Sequence, residues 1–367
     1  MDKHLQEIEV EGFKSIKRLS LPMGKVNVLI GANGAGKTNF ISLFNFLGEL
    51  SRGRLKRYVE VEGGSERFFH FGSRQTPVMK LHVSVGLNEY FATFEPNFDK
   101  DSLIISDEYC RFEGSKKNYP LETRNGESGL SYITSKYGVP AYTKTYLEDC
   151  RVYHFHDTSN YAGFKKTQNL DADHYLESDA ANVAPFLYNL KESDNEDYLK
   201  SYSQIIAAIQ TIAPFFDDFY LEPVGNNGSE TIRLRWLHKN FDNPFSANSL
   251  SDGTARFICM AILFLQPKTL RPSTIILDEP ELGLHPAALV VLADVIKSVS
   301  EETQVICSTQ SVTFANQFDV DDFIIVDQEN GVSKFSKPNK SELEIWLEEF
   351  GVGDIWAKNL MGGRPKW

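Results

Sequence analysis

The sequence predicts an α/β fold built on a mixed β-sheet, with an antiparallel β region and a compact, mainly helical insertion. Three observations predict it. An apolar run, Val26 to Ile30, leads into Gly31-Ala32-Asn33-Gly34-Ala35-Gly36-Lys37-Thr38, and an apolar-periodic stretch, Phe40 to Leu50, follows. A second buried run, Thr274 to Leu277, ends in the acids Asp278 and Glu279. Between them, from Met79, apolar and polar residues alternate with the period of a half-buried strand.

The first observation is a strand, a glycine-rich turn and a helix of the form G-x-x-x-x-G-K-T. Glycines let backbone N–H groups turn toward phosphates, and the helix N-terminus adds partial positive charge. In this pattern Gly31 to Asn39 are the candidate ATP-binding residues. Lys37 reaches the β- and γ-phosphates, and Thr38 holds Mg²⁺. The strand ending at Asp278 delivers a carboxylate to the same metal. Glu279 is then placed to orient or deprotonate an attacking water.

The remaining elements follow in order. Leu5 to Val10 reads as a first strand. Met79 to Leu87, Tyr90 to Phe94 and Leu103 to Phe112 read as antiparallel strands, and Arg151 to His156 as a short one. Ala180 to Leu190 and Tyr198 to Ile212 read as helices. Phe219–Leu221 and Ile232–Trp236 read as strands around the turn-rich segment 225–229. Thr254 to Gln266 is a strongly apolar helix, with Ser251 or Asp252 as its N-cap and Gly253 relieving the turn. Ala287 to Val299 is a helix with Pro286 in its first turn. Val305–Cys307 and Phe323–Val326 are strands, and the terminal tryptophans Trp346, Trp356 and Trp367 pack a C-terminal helix. The expected division is 1–160 (first part of the nucleotide-binding head), 161–245 (helical and hairpin insertion) and 246–367 (second part of the head).

Composition sets the class. The chain has 367 residues, 41% hydrophobic and 24% charged, with no apolar run of the ~18 residues that a membrane span needs. The N-terminus lacks the basic and apolar regions of a signal peptide. Cys110, Cys150, Cys259 and Cys307 are scattered, two of them inside apolar runs, so buried free thiols are expected rather than bridges. These features point to the cytoplasm. A formal net charge of −12 argues against non-specific DNA binding. The densest basic stretch, Ser51 to Arg57, reads as a solvated loop, or as a nucleic-acid or partner contact. His154, His156 and Asp157 read as a structural pair rather than a metal site, since zinc takes three or four ligands and no further His/Cys cluster is visible.

Taken together, the phosphate loop, Leu250-Ser251-Asp252-Gly253-Thr254 and Ile275-Ile276-Leu277-Asp278-Glu279-Pro280-Glu281-Leu282-Gly283-Leu284-His285-Pro286 resemble the ABC-type ATPases of the RecF, SMC and OLD branch. So does the opening Val10-Glu11-Gly12-Phe13-Lys14-Ser15-Ile16. A group of stand-alone bacterial ATPases is more similar still. It shares Tyr153-His154-Phe155-His156-Asp157-Thr158-Ser159 and the terminal segment from Ile355 to Pro365.

The resemblance implies an ABC-type ATPase using ATP and Mg²⁺, with two copies paired head to tail. Ser251, Asp252 and Gly253 would then form a signature reaching the partner's nucleotide. It implies a switch residue at Gln310, where many relatives carry His, and it leaves Gln75 as the candidate for the metal-contacting glutamine. Asp252 and Thr254 stand where transporter ATPases have Gly and Gln. No coiled-coil arm and no appended nuclease domain are expected. Relatives of this shape sit beside separate nuclease or toxin-like effectors in bacterial defence loci, so a switch regulating a partner effector is the first expectation. The alternatives are a DNA-repair ATPase acting on nucleic acid, then a transporter subunit, then a P-loop kinase. A terminal tail, Arg364 to Trp367, is a further candidate partner contact.

Overall fold

The computed structural model describes residues 4–225 and 229–363. The segment 226–228 and the tail Arg364 to Trp367 therefore lie outside the described residues. The chain forms two compact units. One comprises 1–152, 272–278 and 302–367, the other 153–271 and 279–301.

The first unit contains two six-stranded sheets. In the antiparallel one the order is Ile16–Pro22, Leu5–Phe13, Met79–Val85, Asn88–Asn97, Ser102–Phe112, Lys117–Pro120. The alternation from Met79 explains it, because Met79, Leu81 and Val83 are buried while Lys80 is exposed. In the mixed sheet the order is Val332–Ser336, Phe323–Glu329, Val26–Gly31, Gln304–Thr309, Thr274–Asp278, Cys150–Tyr153. The four strands Phe323–Glu329, Val26–Gly31, Gln304–Thr309 and Thr274–Asp278 run parallel. Their carboxyl ends, Glu329, Gly31, Thr309 and Asp278, therefore share one edge. In open α/β sheets ligands bind at that edge.

The helix Lys37–Ser51 packs into the core of this unit through Phe40, Leu43, Phe44, Phe46, Leu47 and Leu50. Phe46 meets Phe94 edge-on at 5.3 Å between centroids and Phe68 at 5.5 Å. Buried Gln304 ties the two sheets together. Its amide accepts from Leu5 N at 3.0 Å and donates to Leu5 O at 2.9 Å and Gly24 O at 2.7 Å.

The second unit is mainly helical. Val183–Lys191, Glu196–Ile212, Asp252–Leu265 and Pro286–Val299 pack with a three-stranded sheet of Phe216–Tyr220, Arg235–His238 and Phe241–Ser246. Thr167–Asn169 and Thr231–Arg233 form a separate pair.

Several expectations are corrected. The run Ile232–Trp236 is two strands, because the chain changes partner at Leu234. The strand from Arg151 stops at Tyr153, and the main chain of the next residues is bound by a side chain instead. The basic stretch is not a loop throughout. Ser51 ends one helix, and Leu55 opens another, Leu55–Val61, whose first N–H groups are capped by the Glu127 carboxylate at 2.8 and 3.0 Å. The C-terminal helix is two short ones, Lys340–Leu347 and Val352–Ala357. Trp356 packs inside, whereas Trp346 is exposed.

Candidate nucleotide site

The phosphate loop connects Val26–Gly31 to Lys37–Ser51 at the carboxyl edge. Neither Gly31 nor Gly36 is replaceable there. A Cβ on Gly31 would collide with Val326 O of the neighbouring strand, and one on Gly36 with Ser333 Oγ. Gly36 also sits at φ 118, a conformation that favours glycine. Asn33 and Gly34 are exposed at the tip, Ala32 is half-buried and Ala35 buried.

Lys37 is buried, and its ammonium donates to Gly31 O at 2.7 Å and Ala32 O at 3.1 Å. A mobile cation is thus held by two neutral carbonyls inside its own loop. A phosphate oxygen would make the stronger, charge-assisted bond. Thr38 is exposed, and its Oγ1 donates to Asp278 Oδ2 at 3.2 Å. The other Asp278 oxygen accepts from Ser308 Oγ, on the adjacent parallel strand. The carboxylate is therefore oriented from one side with its second oxygen turned to Thr38. A threonine hydroxyl and a carboxylate are hard oxygen donors suited to Mg²⁺.

A polar belt that the motif alone does not display supports the loop. Asn39 Nδ2 donates to Ser15 Oγ at 2.7 Å, and Ser333 Oγ lies 2.7 Å from Ser15 Oγ and 2.6 Å from Ala35 O. Gln328 donates to Gly34 O at 2.9 Å. The main chain of Gly363 donates to Asp327 Oδ1 at 3.1 Å, and a Cβ there would stand 3.6 Å from Gly31 Cα. The shared Gly362-Gly363 segment thus packs on the first glycine of the loop. Ser15 and Gly363 stood inside quoted motifs, but nothing in their spacing linked them to the loop.

Gln310 is exposed, directly after the strand Gln304–Thr309. Gln75 is exposed in the loop before Met79–Val85. Among the described residues, no hydrogen bond joins the Gln75 side chain to Thr38 or Asp278. Two of the basic groups in the stretch Ser51 to Arg57 are committed to one acid, with Arg54 at 2.7 Å and Arg52 at 3.5 Å from Glu49.

The second unit carries the candidate signature segment, Ser251 to Gly253. Ser251 is the N-cap of Asp252–Leu265, accepting from Thr254 N at 3.2 Å, and Asp252 lies in the first turn. Gly253 approaches Gly283 so closely that a Cβ would collide with Gly283 O. Arg256, one turn on, donates to Phe155 O at 2.9 Å, His156 O at 3.1 Å and Leu282 O. Sequence reading missed this arginine, because a cation inside an apolar helix gives no hint of three carbonyl partners. Glu279 follows Asp278 at φ 46, an uncommon conformation for a non-glycine residue. His154, His156 and Asp157 are exposed. No group of three or more His, Cys, Asp or Glu able to hold a metal ion occurs among the described residues.

Residues 26–316 match the family described as "AAA domain, putative AbiEii toxin, Type IV TA system". The chain belongs to this AAA family. Solved structures agree on the fold. The head domain of Smc with an extended coiled coil, bound to the C-terminal domain of ScpA and derived from Pyrococcus furiosus, is 16% identical with a TM-score of 0.56. That match covers 94% of this chain and 99% of that one. An SmcHead bound to the C-winged helix domain of ScpA is 17% identical with a TM-score of 0.52, covering 91% and 97%. No curated protein matches the sequence. The AAA family member therefore shares the α/β fold of those Smc head domains. Among its described residues, no helix is long and apolar enough to cross a membrane.

Proposed function

We propose that the protein is an ATP-binding and ATP-hydrolysing switch whose two copies close head to tail on nucleotide and thereby regulate a separate effector. The observation that carries this reading is the junction of Thr38 with Asp278, set beside the internally bound Lys37 at one sheet edge.

In this reading Gly31 to Asn39 hold the phosphates, and Lys37 exchanges Gly31 O and Ala32 O for phosphate oxygens. Thr38 and Asp278 would hold Mg²⁺, whose charge would offset that of the phosphates. Glu279, next in sequence, takes a proton from the water that adds to the γ-phosphorus as the bond to the bridging oxygen breaks. Ser251, Asp252 and Gly253 face the γ-phosphate held by the partner, and Gln310 donates an amide hydrogen to it. Gln75 remains the proposed Mg²⁺-contacting glutamine. The expected domain division, with heads at 1–160 and 246–367 flanking 161–245, belongs to the same proposal, as does a cytoplasmic setting.

Two findings support a separate effector. The family description includes a toxin and a type IV toxin–antitoxin system. The similar Smc heads are solved with another protein, ScpA, bound to them. An anti-phage role for the switch follows by analogy.

The test is light scattering of Glu279→Gln with Mg²⁺ and ATP. A dimer retaining two nucleotides supports the switch. A species that stays monomeric with ATP bound contradicts it.

A further inference from the structure

The first unit carries an open cavity of about 490 Å³, lined by the start of the helix Leu55–Val61, the facing ends of the strands Asn88–Asn97 and Ser102–Phe112, and the segment 123–126. Its floor is apolar, with Leu55, Leu103 and Ile105 buried beneath it. Among the described residues, the charged side chains that line it are Lys56 and Lys100, both exposed. The acids beside them are already engaged. Glu127 caps Leu55 N and Lys56 N at 2.8 and 3.0 Å, and Asp101 accepts from Ser65 N at 2.9 Å and Ser65 Oγ at 3.0 Å. The basic stretch of the sequence therefore opens onto an apolar hollow with a positive rim.

The same unit carries a surface of the opposite kind. In the helix Lys340–Leu347, Leu343 is buried, while Ile345 is 81% and Trp346 41% exposed. Glu342 precedes them by three and four positions, so the three share one helix face. Glu344, Glu348 and Glu349 flank the pair and are exposed. Glu344 and Glu348 stand at i, i+4, where like charges repel. The bases of this segment are turned to other groups: Lys340 Nζ pairs with Asp321 at 2.8 Å, and Lys358 Nζ stands 4.6 Å over the Phe350 ring. An apolar pair left in water and ringed by one sign of charge marks an interaction surface.

We infer that these two surfaces meet between copies of the protein. Ile345 and Trp346 of one copy seat in the hollow over Leu55, Leu103 and Ile105 of the next, with the flanking glutamates facing Lys56 and Lys100. Charge complementarity selects this occupant, because an apolar anchor in an acidic ring matches an apolar floor with a basic rim. The two patches differ, so the contact is heterologous and builds chains or rings. It uses neither the phosphate loop nor Ser251, and so stands apart from nucleotide-dependent pairing. A short helix in a hollow is a small contact, so the association is weak.

The test is sedimentation velocity of the full chain without nucleotide, over a range of concentrations. The wild type should form species larger than a dimer as concentration rises. Salt at about 1 M should weaken them, since charges are then screened beyond about 3 Å. Lys56→Glu with Lys100→Glu sets like charges face to face, as does Glu344→Lys with Glu348→Lys. Each doubly reversed variant alone should associate at least about 10-fold more weakly. Mixed, the two present an acidic hollow to a basic helix and should associate as the wild type does. Trp346→Ala removes the anchor with every charge in place and should weaken association at least about 10-fold. This exposed position remains decisive if a reversed variant does not fold, which thermal melting checks. Reversals without effect, a mixture that stays dissociated, or full association of Trp346→Ala overturns the contact. A wild type that never exceeds a dimer overturns it too, and leaves both surfaces to a different partner.

Discussion

Thr38 and Asp278 stand 240 positions apart in the chain and share a hydrogen bond of 3.2 Å. Parallel pairing from Val26–Gly31 through Gln304–Thr309 to Thr274–Asp278 brings them together. Ser308 holds the far oxygen of the same carboxylate. Asp278→Asn keeps the shape and removes the charge that a cation needs. Mg²⁺-dependent ATP turnover should fall at least about 100-fold, with the melting temperature changed little. Turnover that stays within about threefold of wild type would remove Asp278 from the metal site.

Lys37→Ala should abolish ATP binding. The lysine is the one buried cation of the loop, and its replacement leaves Gly31 O and Ala32 O without their present donor. Filter binding or calorimetry checks it, with a normal affinity counting against the phosphate-loop reading.

Glu279→Gln should bind ATP normally and hydrolyse it about 10²–10⁴-fold more slowly, the contribution of a positioned general base. Single-turnover assays read this directly. Retained turnover would move the base to another residue.

Burial pushes the Cys110, Cys150 and Cys259 thiols up to about 12 from an ordinary 9.0. All four cysteines are free and buried. A thiol reagent at pH 8 should label none of them in the folded protein and four after denaturation. The folded pKa values lie above the unfolded ones. The stability these thiols contribute is therefore complete below pH 9 and is lost as pH rises toward 12. Rapid labelling of the native protein at pH 8 would refute the burial.

Legibility in the sequence followed locality. The phosphate loop, the acid-ended strand and the Ser251 cap are each written in consecutive residues, and the structure places each as a unit. Long-range polar contacts left no such trace. The belt of Ser15, Asn39 and Ser333, the Gln304 junction and the Arg256 bonds join residues whose spacing carries no period. The strand break at Leu234 was hidden because both halves are apolar and β-prone. The helix at Leu55 was hidden because its capping carboxylate, Glu127, lies 72 positions away.

The central claim is that each ATP is enclosed by the phosphate loop of one copy and the Ser251 signature of the other. Mixing Ser251→Arg with Lys37→Ala tests it most directly. In their head-to-tail heterodimer one site carries both lesions and the other is intact. ATPase activity in the mixture above the sum of the separate proteins is the predicted result. No recovery, with heterodimer formation verified, would contradict it.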